Sequence, residues 1–214
     1  MTHVEDLILA LLVLSGFVFL GSSRLRFCIR TLALQGIMIG LLPLWSGPRT
    51  LPARALALAA LSIAIKGVLL PRLLERALQR ANVRREVEPF IGYNASLFVG
   101  IVCLGISFWI AARLPLPDAA GSSLAVMAAF FTMFSGLFVI ISRRQALTQV
   151  LGYLVMENGI YVFGVALALD TPALVEFGVL LDVFVAVFVM GIMIFQISRT
   201  FEHIDTDKLS ALKE

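Results

Sequence analysis

Apolar residues form seven long runs along the chain, each close to the length of about 20 residues that an α-helix needs to cross a bilayer. The runs cover residues 4–20, 27–45, 53–70, 91–112, 124–141, 150–169 and 177–197. Charged and turn-forming residues separate them, among them Gly21-Ser22-Ser23, Pro71 and Asp170-Thr171-Pro172. The pattern predicts an all-α integral membrane protein of about seven transmembrane helices.

Basic residues are distributed unevenly between alternate loops. Of the 17 Lys and Arg residues, thirteen lie in one set of loops, and Lys66 lies within a run. Only Arg49, Arg54 and Arg113 lie in the other set. Basic loops are retained on the cytoplasmic side of a membrane. We therefore expect the N-terminus outside and the C-terminus in the cytoplasm, which agrees with an odd number of spans.

One basic loop, 72–89, carries its arginines opposite a row of apolar residues. Leu73, Leu74, Ala77, Leu78 and Ala81 recur at helical spacing, opposite Arg72, Arg76, Arg80 and Arg84. This spacing predicts a basic amphipathic helix at the cytoplasmic surface. Its arginines either lie among lipid headgroups or form a docking surface for a peripheral protein.

Composition argues against several kinds of chemistry. Hydrophobic residues make up 60% and charged residues 14% of the 214 residues, against roughly 45–50% and about 25% in a soluble domain. Cys28 and Cys103 form no CxxC pair, and His3 and His203 lie outside the runs. We therefore expect no metal, no haem, no other cofactor and no catalytic site in this chain.

A short internal repeat links the two halves of the chain. The segment at 29–37 reads IRTLALQGI and aligns with GYLVMENGI at 152–160. Lys66-Gly67 then falls near Met190-Gly191 at almost the same offset. Two parallel three-helix units joined by the fourth run would explain the repeat. Chance similarity between two segments rich in Leu, Val and Gly would explain it as well.

Three charged residues lie well inside the runs: Lys66, Glu157 and Asp182. An ionisable group at the bilayer centre costs about 2.5–3.5 kcal/mol on insertion scales. Such a group therefore usually faces a partner or water, and it often marks an ion or proton path. We expect these three residues to contribute to a proton path.

Glu157 is the deepest of the three. It lies nine residues beyond Thr148, about 13 Å deep, which is too far for its side chain to reach the surface. Tyr153 and Tyr161 lie one turn away on the same helix face and Asn158 follows it, which predicts a supporting polar face. Glu157 is either a proton carrier or a structural carboxyl bonded to a neighbouring helix.

Asp182 and Lys66 lie nearer the ends of their runs. Asp182 is six residues beyond Glu176, about 9 Å below the outer surface, and is either part of the path or in a polar helix contact. Lys66 is five residues from Pro71, and a lysine stem can raise its ammonium by roughly one helical turn. Lys66 therefore either faces inward or extends its ammonium to the interface.

With these residues in place, the sequence resembles the membrane component E of hydrogenase-4 and related formate hydrogenlyase complexes, over the whole chain. The most specific part is the segment 152–161, GYLVMENGIY. The last three runs, 124–197, are similar to subunit K of respiratory complex I, which has a glutamate followed closely by an asparagine and a later acidic residue. Glu157 and Asp182 fill those places, with aspartate where that subunit has glutamate. The resemblance assigns nothing to Lys66, and the first four runs have no counterpart in subunit K.

The resemblance implies a non-catalytic membrane subunit of a hydrogenase assembly that contributes to a proton path and to anchoring. The implied partners are antiporter-like and anchor membrane subunits, the lipid bilayer, and a peripheral hydrogenase arm that holds the nickel–iron and iron–sulfur centres. No nucleic acid is expected. The implied location is the cytoplasmic membrane of a bacterium or archaeon.

The chain then divides into three regions. We predict a four-helix membrane region at 1–113, a three-helix unit resembling subunit K at 122–198, and a cytoplasmic tail at 199–214. Two other functions remain open from the sequence. One is a subunit of a multisubunit cation/proton antiporter, and the other is a purely structural spacer in the membrane.

Overall fold

The computed structural model describes residues 3–46, 53–80, 90–115, 123–167, 178 and 181–191. All regular secondary structure within these ranges is helical, which confirms the predicted class. The helices are α1 (His3–Gly21), α2 (Leu25–Ser46), α3 (Ala53–Ser62), α4 (Leu70–Arg80), α5 (Tyr93–Arg113), α6 (Ser123–Ser142), α7 (Ala146–Ala166) and α8 (Leu181–Gly191). A π-helical segment, Ile63–Leu69, joins α3 to α4. The predicted tail, 199–214, lies outside the described residues.

Four of the described helices are long and apolar enough to cross a membrane, namely α1, α2, α5 and α6. Helix α7 has the length but is not one of the four, and it carries Gln149, Glu157 and Asn158. Helix α3 is short because the chain continues as a π-helix, and α8 is a short apolar helix. The chain is therefore a multi-helix membrane protein, while the number of seven spans and their orientation stay predictions.

The third predicted span does not end at Pro71, so the predicted break there is wrong. Residues 53–80 form one continuous helical rod. Proline has no N–H to donate one turn back, and a local π-turn can accommodate such a missing bond in a membrane helix. Here the turn before the proline is wider, because the Leu70 N–H donates to the carbonyl of Ile65, five residues earlier.

The predicted amphipathic helix is present in the part that the structure describes, α4, while its place at the cytoplasmic surface stays a prediction. Leu74, Ala77 and Leu78 are buried against the bundle, and Arg72 and Arg76 are exposed. The remainder of the predicted helix, 81–89, lies outside the described residues. Because α4 is continuous with the helix of the third span, the direction of its basic face is fixed relative to the bundle.

Close approach of the helices depends on glycines in α2 and α7. A Cβ on Gly36 would come within 2.6 Å of the carbonyl carbon of Lys66, so α2 lies directly against the π-segment. A Cβ on Gly159 would come within 2.6 Å of the Met133 backbone nitrogen, so α7 lies directly against α6. Glycine therefore allows close packing of the helix backbones at both contacts.

Two apolar clusters lie at opposite ends of the bundle. One surrounds the turn between α1 and α2 and includes Phe19, Leu25 and Leu74. The other includes Leu12, Ile39 and Val162. Between them lies a set of buried polar side chains, the polar layer, whose members are Ser15, Gln35, Lys66, Glu157, Asn158 and Asp182. The polar layer therefore lies between apolar side chains of the described residues at both of its ends.

Candidate functional site

Lys66 points into the bundle and lies at the centre of the polar layer. The residue is 5% exposed, and its Nζ donates a hydrogen bond of 2.5 Å to Oε1 of Glu157 on α7. The close fit of Gly36 against the Lys66 backbone brings the π-segment, and with it the lysine, deep between α2 and α7. Of the two orientations left open by the sequence, the structure has the inward one.

Asp182 faces the same ammonium from α8. Its Oδ2 lies 3.6 Å from Lys66 Nζ, within ion-pair distance but beyond a direct hydrogen bond. The aspartate is 1% exposed, and neither of its carboxyl oxygens has a hydrogen-bond partner among the described residues. Glu157 is 4% exposed, and its Oε2 also lacks a partner within the described part. The structure thus gathers one ammonium and two carboxyl groups in a buried triad.

A chain of neutral polar groups continues from the triad across the bundle. Asn158 Oδ1 accepts a hydrogen bond of 3.4 Å from Lys66 Nζ, and its Nδ2 donates to Gln35 Oε1 at 3.3 Å. Gln35 Nε2 donates to Ser15 Oγ at 2.5 Å, and Ser15 Oγ donates to the carbonyl of Leu12 at 2.6 Å. The layer therefore links α1, α2, the π-segment, α7 and α8.

Sequence reasoning missed Gln35 and Ser15. A signal for Gln35 did exist, because it occupies the same place in the repeat segment 29–37 as Asn158 does in 152–160. In the structure these two corresponding amides hydrogen-bond each other, and the glycine that follows each one packs on a neighbouring helix backbone. The two repeat segments thus face each other across the polar layer.

The two tyrosines of the predicted supporting face lie above and below Glu157. Tyr161 is buried in the apolar cluster of Leu12 and Val162. Tyr153 is half-buried and lines a cavity of about 300 Å³ with Val150, Leu181, Phe184 and Phe188 among other apolar residues. No hydrogen bond joins either tyrosine to Glu157 within the described ranges, so Asn158 is the predicted neighbour that contacts the triad directly.

Arg143 is a buried cation that sequence reasoning placed only in a basic loop. The residue is 1% exposed. Its guanidinium donates to the carbonyl of Leu20 at 2.9 Å and to that of Ile91 at 3.4 Å, and it lies 4.4 Å from the ring centre of Tyr93. No local pattern distinguishes it from Arg144 beside it, which is exposed. The contacts hold together the ends of α1, α5 and α6.

Comparison with known proteins relates the chain to a subunit family. An uncharacterized protein of Mycobacterium tuberculosis, Rv0085, is 32% identical over 204 residues, which is 95% of this chain and 93% of Rv0085. Hydrogenase-4 component E of Escherichia coli K12 and that of Shigella flexneri are each 40% identical over 98 residues, 46% of this chain and 45% of theirs. The resemblance to component E expected over the whole chain is thus found over about half of it.

The C-terminal part matches a second description. Residues 124–214 match the family model of NADH-ubiquinone/plastoquinone oxidoreductase chain 4L. No solved structure matches the chain at a significant level. Component E and chain 4L are subunits of larger assemblies, so partner subunits are implied for this family. The chain therefore belongs to the same family as Rv0085, and it is a homologue of hydrogenase-4 component E whose C-terminal part is related to chain 4L of complex I.

Proposed function

We propose that this chain is a non-catalytic membrane subunit of a hydrogenase assembly of the hydrogenase-4 type, in which it provides part of a transmembrane proton path through Lys66, Glu157 and Asp182. In this proposal it also anchors neighbouring antiporter-like and anchor subunits in the cytoplasmic membrane. The nickel–iron and iron–sulfur centres belong to a peripheral arm made by other subunits.

The buried triad is the observation that carries the proposal. Lys66 Nζ lies 2.5 Å from Oε1 of Glu157 and 3.6 Å from Oδ2 of Asp182, and this triad lies between two apolar clusters. Burying ionisable groups at such depth is costly, and leucine or methionine would fill the same space without that cost. Proton exchange requires ionisable side chains at this depth, whereas a purely structural contact does not.

The polar layer gives the triad a setting suited to proton transfer. In this proposal the apolar clusters at both ends keep bulk water out of the layer, and the amides of Asn158 and Gln35 hold the ammonium side in place. A proton that reaches either carboxyl is therefore confined to groups within the layer until the layer connects to one surface. This confinement is what coupled translocation requires, because a continuous water channel would leak protons.

The proposal is tested by removing each titratable proton while keeping side-chain shape. Glu157→Gln and Asp182→Asn are introduced into the intact complex, and proton movement during turnover is measured in sealed membrane vesicles. We expect normal assembly and normal dye-linked hydrogenase activity of the peripheral arm, with loss of most proton translocation in both variants. An amide can accept and donate hydrogen bonds but cannot carry the proton at this position.

Glu75→Gln is the matched control, because Glu75 is a half-buried carboxyl on α4 that lies outside the triad. It should leave proton movement unchanged. Normal translocation in both triad variants, with assembly verified, would leave only the role of a structural spacer. Purification with antiporter subunits and no hydrogenase, together with sodium- or potassium-dependent proton exchange, would favour the antiporter alternative instead.

A further inference from the structure

We propose that Lys66 is a movable counter-ion that passes between Glu157 and Asp182, so that the carboxyl without the ammonium holds the proton. The inference rests on the proposed proton path and assigns a role to the one triad residue that belongs to the N-terminal half of the chain. Lys66 remains an ammonium throughout, and it acts by position rather than by giving up its own proton.

The distances support a short movement. Lys66 Nζ is bonded to Glu157 Oε1 at 2.5 Å and lies 3.6 Å from Asp182 Oδ2. A charge-assisted hydrogen bond to Asp182 would form after a shift of about 1 Å, since such bonds measure about 2.7–2.9 Å. A cavity of about 10 Å³ adjoins Lys66, Asn158 and Asp182, which gives the ammonium room on that side.

Asn158 provides a fixed acceptor between the two positions. Its Oδ1 lies 3.4 Å from Lys66 Nζ, while its amide nitrogen is held by Gln35 on α2. The three hydrogens of an ammonium allow it to keep this bond while it exchanges one carboxyl for the other. The neutral chain through Gln35 to Ser15 thus orients the acceptor that guides the lysine.

The charges facing the triad define its stable states. Lys66 comes from the π-segment, Glu157 from α7 and Asp182 from α8. Helices α2 and α1 present the neutral Gln35 and Ser15, and the phenols of Tyr153 and Tyr161 lie four residues to either side of Glu157 on α7. With both acids ionised the described site would carry one uncompensated negative charge in an apolar bundle, which is unfavourable. With one acid protonated the site is neutral.

In the structure as described, the ammonium is on Glu157, and both oxygens of Asp182 lack a hydrogen-bond partner among the described residues. We assign the proton to Asp182 in this state. When a proton arrives on Glu157, the ammonium moves to Asp182 and the proton of Asp182 leaves. One O–H bond forms on Glu157 and one breaks on Asp182, so one proton enters, one leaves and the site stays neutral.

Infrared absorption of protonated carboxyl groups tests this directly in the purified complex in lipid nanodiscs. Difference spectra at neutral pH, with exchange into deuterated water, isolate the band of the triad. We expect loss of this band in Asp182→Asn and also in Glu157→Gln, because the ammonium then neutralises the one remaining acid. Lys66→Met should double the band, since two acids without a cation both take up protons.

Lys66→Gln provides a second variant that keeps a hydrogen-bond donor, and it should double the band in the same way. Glu75→Gln should leave the band unchanged. Persistence of the band in Glu157→Gln, or an unchanged band in both Lys66 variants, would overturn the inference. The infrared bands are measured without proton transport, so the two proposals can fail separately. If the bands change as expected but the amide variants still move protons normally, the proton path is rejected and the counter-ion exchange is retained.

Discussion

At the scale of single residues, the most consequential contacts are made by charged groups that the helices enclose. The triad is one case, and Arg143 is another. Its guanidinium donates to main-chain carbonyls of Leu20 and Ile91, which belong to segments far apart in sequence. A carbonyl at a helix end has no partner within its helix, so a buried arginine can satisfy groups there that water cannot reach.

We expect Arg143→Met to lower the free energy of unfolding by about 3 kcal/mol or more, because it removes charge-assisted hydrogen bonds and takes this donor from the buried carbonyl of Leu20. Arg144→Met is the matched control and should cost about 1 kcal/mol or less, since Arg144 is exposed and lies over the ring of Phe90. Denaturant titration in detergent micelles measures both values. Equal losses in the two variants would contradict the role assigned to Arg143.

At the scale of the helices, contact between backbones sets the geometry of the polar layer. Gly159 directly follows Asn158, and it lets α7 approach the backbone of α6 at Met133 and Ala129. Gly36 directly follows Gln35, and it lets α2 approach the backbone of the π-segment. Both amides of the layer, Asn158 and Gln35, are therefore followed by a glycine that lets their helix come close to its neighbour.

We expect Gly159→Ala to lower the free energy of unfolding by about 1–3 kcal/mol, because its Cβ meets backbone atoms that cannot rotate away. Gly105→Ala is the control, since a Cβ at Gly105 on α5 meets nothing within 4 Å. Without a clash, alanine should be neutral or stabilise the helix by up to about 1 kcal/mol. Thermal unfolding measured in nanodiscs distinguishes the two. A neutral Gly159→Ala would show that α6 and α7 are not held at this distance.

At the scale of the whole molecule, the arrangement is a polar layer between two apolar ends, crossed by helices from both halves of the chain. The part related to chain 4L contributes Glu157 and Asp182. The N-terminal half contributes Lys66, Gln35 and Ser15. The site is therefore incomplete in either half alone, and the N-terminal helices supply the cation that the two acids share.

The orientation of the whole chain is tested by reporter fusions. The excess of basic residues in alternate loops predicts cytoplasmic signals for fusions after Arg144 and at Glu214, and an external signal for a fusion after Asp118. Each site is fused to two reporters, alkaline phosphatase, which is active only outside, and a fluorescent protein, which fluoresces only in the cytoplasm. A cytoplasmic signal at Asp118 would reject the seven-span arrangement.

Local sequence pattern predicts the helical class, the approximate positions of most helices and the burial of Glu157. Each of these depends on a single segment, through its hydrophobic length or through the cost of placing a charge in lipid. The continuation of the helix through Pro71 was not predictable in this way, because a proline ends most helices and a π-turn has no distinct sequence signal.

Packing between helices accounts for the rest. Lys66 and Glu157 are 91 residues apart, and whether the lysine faces inward or reaches the interface depends on how closely Gly36 lets α2 approach. The burial of Arg143 likewise depends on three helix ends meeting, since the residue beside it has the same side chain and is exposed. The sequence by itself determines which charged residues lie within apolar segments. The tertiary structure decides which of them touch, because those contacts form between helices that are far apart in the chain.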